Sequence, residues 1–324
     1  MIHGRLDIRD ILGSWKARWG IGRMTYIVPP GLYAIGRPDA DAPVVVTANY
    51  KMSYDLVRST LAERHVWLLV LETFGINVWC AAGKGTFGTG ELVRRVTESR
   101  VSEVVRHRCL TLPIMGAAGV KAVEVRKRTG FDVRFATLRI SDLPRYLDRG
   151  GGAEPAMREL TFSVHERLVL APIEIVSGMK SLLPVGIPLA LLAGCSGGHF
   201  SLSRAAAAVA LYIGALLCGT LVTPLLLPML PGRMFSIKGA ASGMLFAVAA
   251  LLPAVQAKMV PVMTAAAFSL IVPSVSAFYA MNFTGSTPFT SPSGVRKEMR
   301  FSLPVMLSAA VAGVLVLLVG VFSS

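Results

Sequence analysis

The run VVVTANYKMSYDLVRSTLAER (residues 44–64) decides the fold class of the first half of the chain. Its β-branched beginning, 44–48, is typical of a buried strand, and the residues after it have helical spacing with Ser53 as a candidate N-cap. A short polar turn, 49–52, joins the two. A strand that leads directly into a helix is the repeating unit of an α/β protein.

The same unit recurs along the first 150 residues. Strands are expected over 44–48, 66–72, 109–113 and 131–138, and further helices over 90–100, 120–129 and 141–149, with Gly130 as a helix stop. Strands that alternate with helices form a parallel, doubly wound sheet, whose ligands bind beyond the carboxyl ends of the strands. The loops expected at that edge are 47–53, 73–90 and 113–119.

The second half of the chain has the composition of a membrane domain. Only eight of the 52 Lys, Arg, Asp and Glu residues lie in 181–324, and the mean hydropathy of the 324-residue chain is +0.58. A single soluble globule is therefore excluded. Five apolar stretches are expected to span a bilayer: 174–195, 205–227, 239–257, 259–281 and 301–322.

The basic residues of the short loops predict the orientation of these spans. With the N-terminal part in the cytoplasm, five of them lie on the cytoplasmic side and two outside; these are Arg233, Lys238, Arg296, Lys297 and Arg300 against Arg204 and Lys258. The first twenty residues are charged throughout and lack a secretory signal. We expect a multi-pass protein of the cytoplasmic membrane, with a soluble domain over 1–165, a linker over 166–181 and a transmembrane domain over 182–324.

Charge and cysteine content exclude other classes. The net charge of +14 is spread among acids and shows no basic stripe interleaved with aromatics, so nucleic acid is not an expected partner. The four cysteines contain no CxxC, so neither a disulfide framework nor a zinc or iron–sulfur site is expected in this chain.

Residues 83–88 (GKGTFG) match the G-x-G-x-x-G pattern of dinucleotide sites. That pattern should open directly from a strand, whereas about ten residues separate Glu72 from Gly83. We regard the match as accidental, and a membrane-tethered nucleotide-binding or sensory module is kept as an alternative function.

The run NVWCAAGK (residues 77–84) carries more chemical information. Asn77 can cap one short helical turn and Gly83 can stop it, which would present the thiol of Cys80 over the sheet edge. Lys84 and the amino end of the turn favour the thiolate, the form that binds metal. The alternative is an inert core cysteine, because Cys is among the most buried residue types.

This run resembles the cap-helix signature of the corrinoid protein that methylates mercury in anaerobic bacteria and archaea, without a departure from its pattern. The resemblance extends over the chain: a Rossmann-like corrinoid-binding domain followed by an all-α polytopic membrane domain of five helices. More distantly, VTANYKMSYD, LPIMGAAGV and EVRKRTGFDV are similar to the cobalamin-binding domain of the corrinoid iron–sulfur protein of acetyl-CoA synthesis.

The resemblance implies cobalamin or a related corrinoid as cofactor, with Cys80 as the lower axial ligand of cobalt. The residues implied to hold the corrinoid are Thr47, Asn49, Ser53, Thr73, Asn77, Val78, Trp79, Cys80, Ala81, Ala82, Gly83, Lys84, Gly116, Ala117 and Gly119. For the loop residues among them, ordinary turn chemistry is an equal alternative.

The implied activity is corrinoid-dependent methyl transfer to Hg(II), which forms methylmercury. The implied partners are a methyl-folate-dependent donor system and a ferredoxin-like protein with two [4Fe–4S] clusters that supplies electrons. A corrinoid methyl carrier that serves another metabolic acceptor is the main alternative.

Overall fold

The computed structural model describes residues 2–195, 199–287 and 290–322. The chain divides into two compact units, with the division between Thr161 and Phe162.

The first unit contains a five-stranded mixed sheet. Its strands are β1 (Gly31–Ile35), β2 (Val44–Ala48), β3 (Val66–Leu71), β4 (Cys109–Leu112) and β5 (Asp132–Phe135), in the order β1-β3-β2-β4-β5. Strands β3, β2, β4 and β5 are parallel, as the alternation predicted. After β3 the chain crosses back over β2 to form β4, so the strand order reverses between β2 and β4.

Strand β1 corrects the prediction of a wholly parallel sheet. Gly31 pairs with Val70 and Ile35 with Val66, which makes β1 antiparallel to β3 at the edge of the sheet. An antiparallel edge strand needs no crossover helix, so the strand–helix alternation used for the prediction cannot reveal it.

Helices cover both faces of the sheet. They are α1 (Ile8–Arg18), α2 (Lys51–Thr60), α3 (Val78–Lys84), α4 (Thr89–Glu98), α5 (Val101–Val104), α6 (Ala122–Thr129) and α7 (Leu143–Asp148). Successive side chains of a strand point to opposite faces. Val44, Val46 and Ala48 accordingly belong to one buried cluster and Val45 to another.

The start of α2 differs from the prediction. Tyr50, not Ser53, is the N-cap residue, and Ser53 lies within the helix. The reason is a short antiparallel contact: the amide of Val28 donates to the carbonyl of Asn49, and the amide of Lys51 donates to that of Tyr26. This contact ends at Lys51, and the chain turns into the helix there. Gly130 is a helix stop as predicted, in the left-handed conformation with φ of 76°.

An ion-pair cluster holds α1 against α2. Asp10 accepts from Lys51 Nζ (2.6 Å) and from Arg58, and Asp55 accepts from the same two cations at 2.7 and 2.8 Å. Arg58 Nη1 also donates to the carbonyls of His3 (2.7 Å) and Arg5 (3.0 Å). Since Asp10 is only 15% exposed, the cluster is partly shielded from water.

The second unit is helical. Its principal helices are α8 (Val164–Met179), α9 (Ile187–Gly194), α10 (Leu202–Leu217), α11 (Thr223–Leu225), α12 (Phe235–Gln256), α13 (Val262–Asn282) and α14 (Pro292–Phe322). Within the described residues, Leu202–Leu225, Phe235–Gln256, Val262–Asn282 and Ser293–Phe322 are long and apolar enough to cross a membrane. Val164–Met179 and Leu182–Gly194, bent by 47°, add a fifth if the pair forms one span. The predicted linker 166–181 lies mostly in α8.

Buried charges close helix ends in this unit. Arg167 donates to the carbonyls of Pro224 (3.0 Å) and Leu225 (2.9 Å). Lys238 donates to those of Leu227 (2.6 Å) and Leu230 (2.7 Å). Pro224 and Leu225 lie at the end of α11, where backbone carbonyls have no partner within the helix and Arg167 supplies one. Lys238 does the same for carbonyls of the turn that follows α11.

The middle of the second unit packs through small and hydroxyl-bearing residues. A Cβ added to Gly239 of α12 would lie 2.4 Å from Ala280 Cβ and 2.8 Å from Ala277 Cα of α13. Ser276 donates to the Gly239 carbonyl at 2.7 Å, and Thr223 and Ser242 hydroxyls lie 2.6 Å apart. Close backbone approach with hydroxyl hydrogen bonds is typical of helix association in membranes.

We expect Asp10→Asn to lower the free energy of unfolding by about 2 kcal/mol at neutral pH, because two cations each lose a charged acceptor. Burial opposes ionisation of Asp10, but hydrogen bonds from Lys51, the Asp7 amide and Arg58 outweigh it and lower the pKa from 3.8 to about 2. The stabilisation is therefore present above pH 3.8 and lost as the pH falls toward 2. Thermal unfolding of the full chain in detergent, at a series of pH values, measures the difference in the free energy of unfolding between wild type and variant.

The control is Asp41→Asn, which breaks the exposed pair with Arg106. Its expected effect is below about 1 kcal/mol. A gap between wild type and Asp10→Asn that stays constant down to pH 2 would contradict the assignment.

Candidate functional site

The candidate site is built on α3, which follows β3 at the carboxyl edge of the sheet. Asn77 is the N-cap, and its side chain accepts from the Cys80 amide at 3.0 Å. The helix ends at Gly85, in the left-handed conformation with φ of 82°, so the stop is Gly85 and not the predicted Gly83. Gly83 remains inside the last turn because a left-handed residue is needed only where the helix terminates.

The two sides of α3 have different environments. Ala81 and Ala82 are buried in the cluster that includes Phe87. Cys80, Gly83 and Lys84 are exposed. The alternative of a buried, inert Cys80 is therefore wrong: the short helix is seated by two alanines and directs its thiol outward.

Asn49 and Thr73 position the loop that carries α3. The Asn49 side-chain oxygen accepts from the Thr73 amide (3.0 Å), the Thr73 hydroxyl (2.9 Å) and the Gly75 amide (3.3 Å). Its side-chain nitrogen donates to Glu72 at 2.6 Å. Both Asn49 and Thr73 are fully buried, and their hydrogen bonds hold the loop in place.

A cavity of about 290 Å³ opens next to α3, where the strand order reverses between β2 and β4. Such a reversal is where open α/β sheets bind ligands. Of the predicted residues, Thr47, Ser53, Asn77, Val78 and Trp79 line it. Its lining residues are all uncharged, which suits a neutral ligand group.

The loop after β4 packs closely against α3 and Phe87 at Gly116 and Gly119. A Cβ on Gly119 would lie 2.2 Å from the Phe87 carbonyl oxygen and 3.1 Å from Ala82 Cα, and one on Gly116 would lie 2.6 Å from the Phe87 ring. Gly116 and Gly119 thus allow the loop to pack against α3 and its buried support. Ala117, between them, is exposed.

Several residues of the cavity wall were not predicted from the sequence. Thr111, Met115 and Thr137 lie after or near the ends of β4 and β5 and line the cavity. Only their position in the sequence could have indicated them, because they lie near the carboxyl ends of strands, where ligands were expected to bind.

The glycines of GKGTFG have a structural explanation. Gly83 lies in α3, Gly85 caps it, and Gly88 is the N-cap of α4. A dinucleotide fingerprint opens from a strand into a helix, whereas here α3 precedes it. This geometry argues against the nucleotide-binding alternative.

The first unit is thus an open α/β domain with a thiol-bearing helix beside its ligand crevice. Residues 22–142 match the family of the CO dehydrogenase/acetyl-CoA synthase delta subunit. This match agrees with the distant resemblance to proteins of acetyl-CoA synthesis found in the sequence, and it supports a corrinoid protein.

Individual relatives show the same similarity. The gamma subunit of the acetyl-CoA decarbonylase/synthase complex of Methanopyrus kandleri is 40% identical over 127 residues, 38% of this chain and 27% of the relative. That of Archaeoglobus fulgidus is 32% identical over 154 residues, 46% of this chain and 32% of the relative. The chain therefore spans about a third or less of the length of these curated relatives.

We expect Gly119→Ala to destabilise the first unit by about 1–3 kcal/mol, because its Cβ would press on the backbone of Phe87 and Ala82. Gly90→Ala is the matched control, because a Cβ at Gly90 would meet no atom within 4 Å. Replacing a glycine inside α4 by alanine should not destabilise the helix. Thermal unfolding of the two variants measures the difference. Equal stability of the two would contradict the packing described here.

Proposed function

We propose that the first unit binds a corrinoid and that Cys80 is the cobalt ligand. The single observation that carries this proposal is the exposed thiol on a short capped helix beside the crevice of the sheet. The similarity of residues 22–142 to the CO dehydrogenase/acetyl-CoA synthase delta subunit family independently supports corrinoid binding.

The residues present fit such a group. Among the described residues, no cluster of three or more His, Cys, Asp and Glu could hold a metal ion. A lone thiol therefore suits a metal that brings its remaining ligands with it, as cobalt in a corrin does. Thiolate is also the soft ligand that favours a polarisable metal centre.

The cavity is smaller than a whole corrinoid, so we expect it to take only part of the cofactor. Its uncharged wall, with the hydroxyls of Thr47, Ser53 and Thr111, suits the neutral side-chain amides of a corrinoid or the base of its nucleotide tail. The ring would then lie over the exposed side of α3, where Cys80 and Lys84 are accessible.

Each residue of α3 has a defined task in this arrangement. Asn77 fixes the first turn and therefore the position of Cys80, and Ala81 and Ala82 prevent the helix from moving on its support. Lys84 places a positive charge one helical turn from the thiol, on the same exposed side of α3. When bound, the corrinoid supplies a cobalt centre that accepts and passes on a methyl group.

We propose Hg(II) as the methyl acceptor and methylmercury as the product, so that the protein is a corrinoid-dependent methyltransferase. The support is the NVWCAAGK run, which resembles the mercury-methylating family without a departure. The same resemblance supports a methyl-folate-dependent donor and a ferredoxin-like electron donor with two [4Fe–4S] clusters.

A methyl carrier for a metabolic acceptor is the second candidate. It is favoured by the relatives, which are subunits of an acetyl-CoA decarbonylase/synthase complex. Methyl transfer from the loaded protein to Hg(II), measured as methylmercury, separates the two candidates.

The second unit is proposed to anchor the protein in the cytoplasmic membrane, with the first unit in the cytoplasm. Four apolar helices, and the bent pair, support this by length and composition. The Ser236 amide donates to Glu298 at 2.7 Å, and these two residues belong to two different predicted cytoplasmic loops. Arg204 and Lys258, predicted outside, line a different surface cavity.

We expect Cys80→Ala to abolish mercury methylation and the sulfur-ligated, base-off spectrum of the cobalamin-loaded full chain. The thiol is exposed, so its removal should leave thermal stability unchanged. Absorption and paramagnetic resonance of the loaded protein provide a measurement that does not depend on activity.

Cys109→Ala is the matched control for this experiment. Cys109 is partly buried at the start of β4, and burial raises the pKa of its thiol, which disfavours the thiolate. We expect this variant to keep the spectrum and the activity. Equal loss in both variants, or an unchanged spectrum in Cys80→Ala, would refute the assignment of Cys80.

A reporter fused after residue 324 tests the topology. Five spans place it outside the cytoplasm, where alkaline phosphatase is active and green fluorescent protein is dark. The opposite pattern would indicate four spans and would make residues 155–195 an interfacial segment, for which Leu160, Val164 and Leu168 have the spacing.

A further inference from the structure

Helix α1 exposes its large apolar side chains, and Ala17 is its one buried residue. Ile8, Ile11, Leu12, Trp15 and Trp19 form one stripe at helical spacing, and their exposures run from 37% to 69%. Ile21 and Met24, 64% and 63% exposed, follow the helix. A contiguous apolar patch of this kind on a folded domain indicates an interaction surface.

The contacts on the other side of α1 fix this orientation. Asp10 is held by Lys51 and Arg58. A Cβ on Gly13 would lie 2.4 Å from the Tyr26 hydroxyl, and Ala17 is completely buried. The helix cannot rotate its stripe inward, because larger side chains have no room where Gly13 and Ala17 lie.

Basic residues surround the stripe. They are Arg5, Arg9, Lys16 and Arg18. Two acids lie nearby, Asp7 and Asp10. In the capping box at the start of α1, the side chain of each accepts a hydrogen bond from the backbone amide of the other. Asp10 is also paired with Lys51 and Arg58. The exposed side of α1 is therefore apolar with a positively charged border.

We propose that this face of α1 lies in the interfacial layer of an anionic membrane. A positive border complements anionic headgroups, tryptophan prefers the headgroup level, and an amphipathic helix with these properties lies in the plane of the interface. The apolar helices of the same chain, long enough to cross a bilayer, would keep such a surface within reach of lipid. The proposal does not depend on what Cys80 binds.

The test uses the full chain in vesicles that contain anionic lipids brominated in the acyl chains, which quench nearby tryptophan. The chain has four tryptophans. We expect Trp15→Phe/Trp19→Phe to lose more than half of the quenching seen in wild type. Trp67→Phe is the control and should keep it, because Trp67 lies on β3 and donates to the Asp39 carbonyl.

A change from anionic to neutral brominated lipid should reduce the quenching of wild type towards that of the double variant. Flotation and carbonate extraction score insertion of the chain separately, so failure to insert is distinguished from failure of α1 to contact lipid. Equal quenching in wild type and the double variant would overturn the proposal. The proposal would also be overturned if tryptophan emission depended on the protein-to-lipid ratio and not on bromine. That result would indicate that a second copy of the chain covers α1.

Discussion

The position of α3 depends on the buried side chain of Asn49. One side-chain oxygen accepts three hydrogen bonds from Thr73 and Gly75, and the nitrogen donates to Glu72. These bonds join the end of β2 to the loop after β3, so they fix the direction in which the chain leaves the sheet. The Asn77 cap then fixes the first turn of α3, and the exposed thiol of Cys80 follows from that geometry. An unpaired buried amide costs free energy, which makes the arrangement all-or-none.

The strand–helix alternation of the first unit could be predicted from sequence because each parallel strand is a compact apolar run followed by a helix. Strand β1 and the start of α2 could not. Both depend on pairing with distant parts of the chain, β1 with β3 and Tyr50 with Ile27. Local patterns also predicted the apolar helices of the second unit, but not the contact of Arg167 with the end of α11, since it joins residues 57 positions apart in sequence.

The short helix with Cys80 on its surface was predictable from a single run, because the cap residue and the two alanines lie within one segment, although the helix stops at Gly85, just beyond that run. The roles of the surrounding residues were less predictable. Asn49 and Thr73 are polar residues of the kind that bind ligands, but their side chains hold the loop between β3 and α3 in place. Gly116 and Gly119 allow the loop after β4 to pack closely against α3 and Phe87. Thr111 and Thr137 line the cavity without belonging to any recognisable motif.

The close approach of Gly119 to Ala82 and Phe87 has a consequence for recognising proteins of this kind. The NVWCAAGK run identifies a helix with a thiol, but that helix keeps its place only if the loop after β4 brings no side chain against it. A sequence that keeps the cysteine and carries a bulky residue at the position of Gly119 would place its thiol elsewhere. A diagnostic pattern for genomic searches should therefore pair the cysteine segment with the distant glycine, and neither half should count alone.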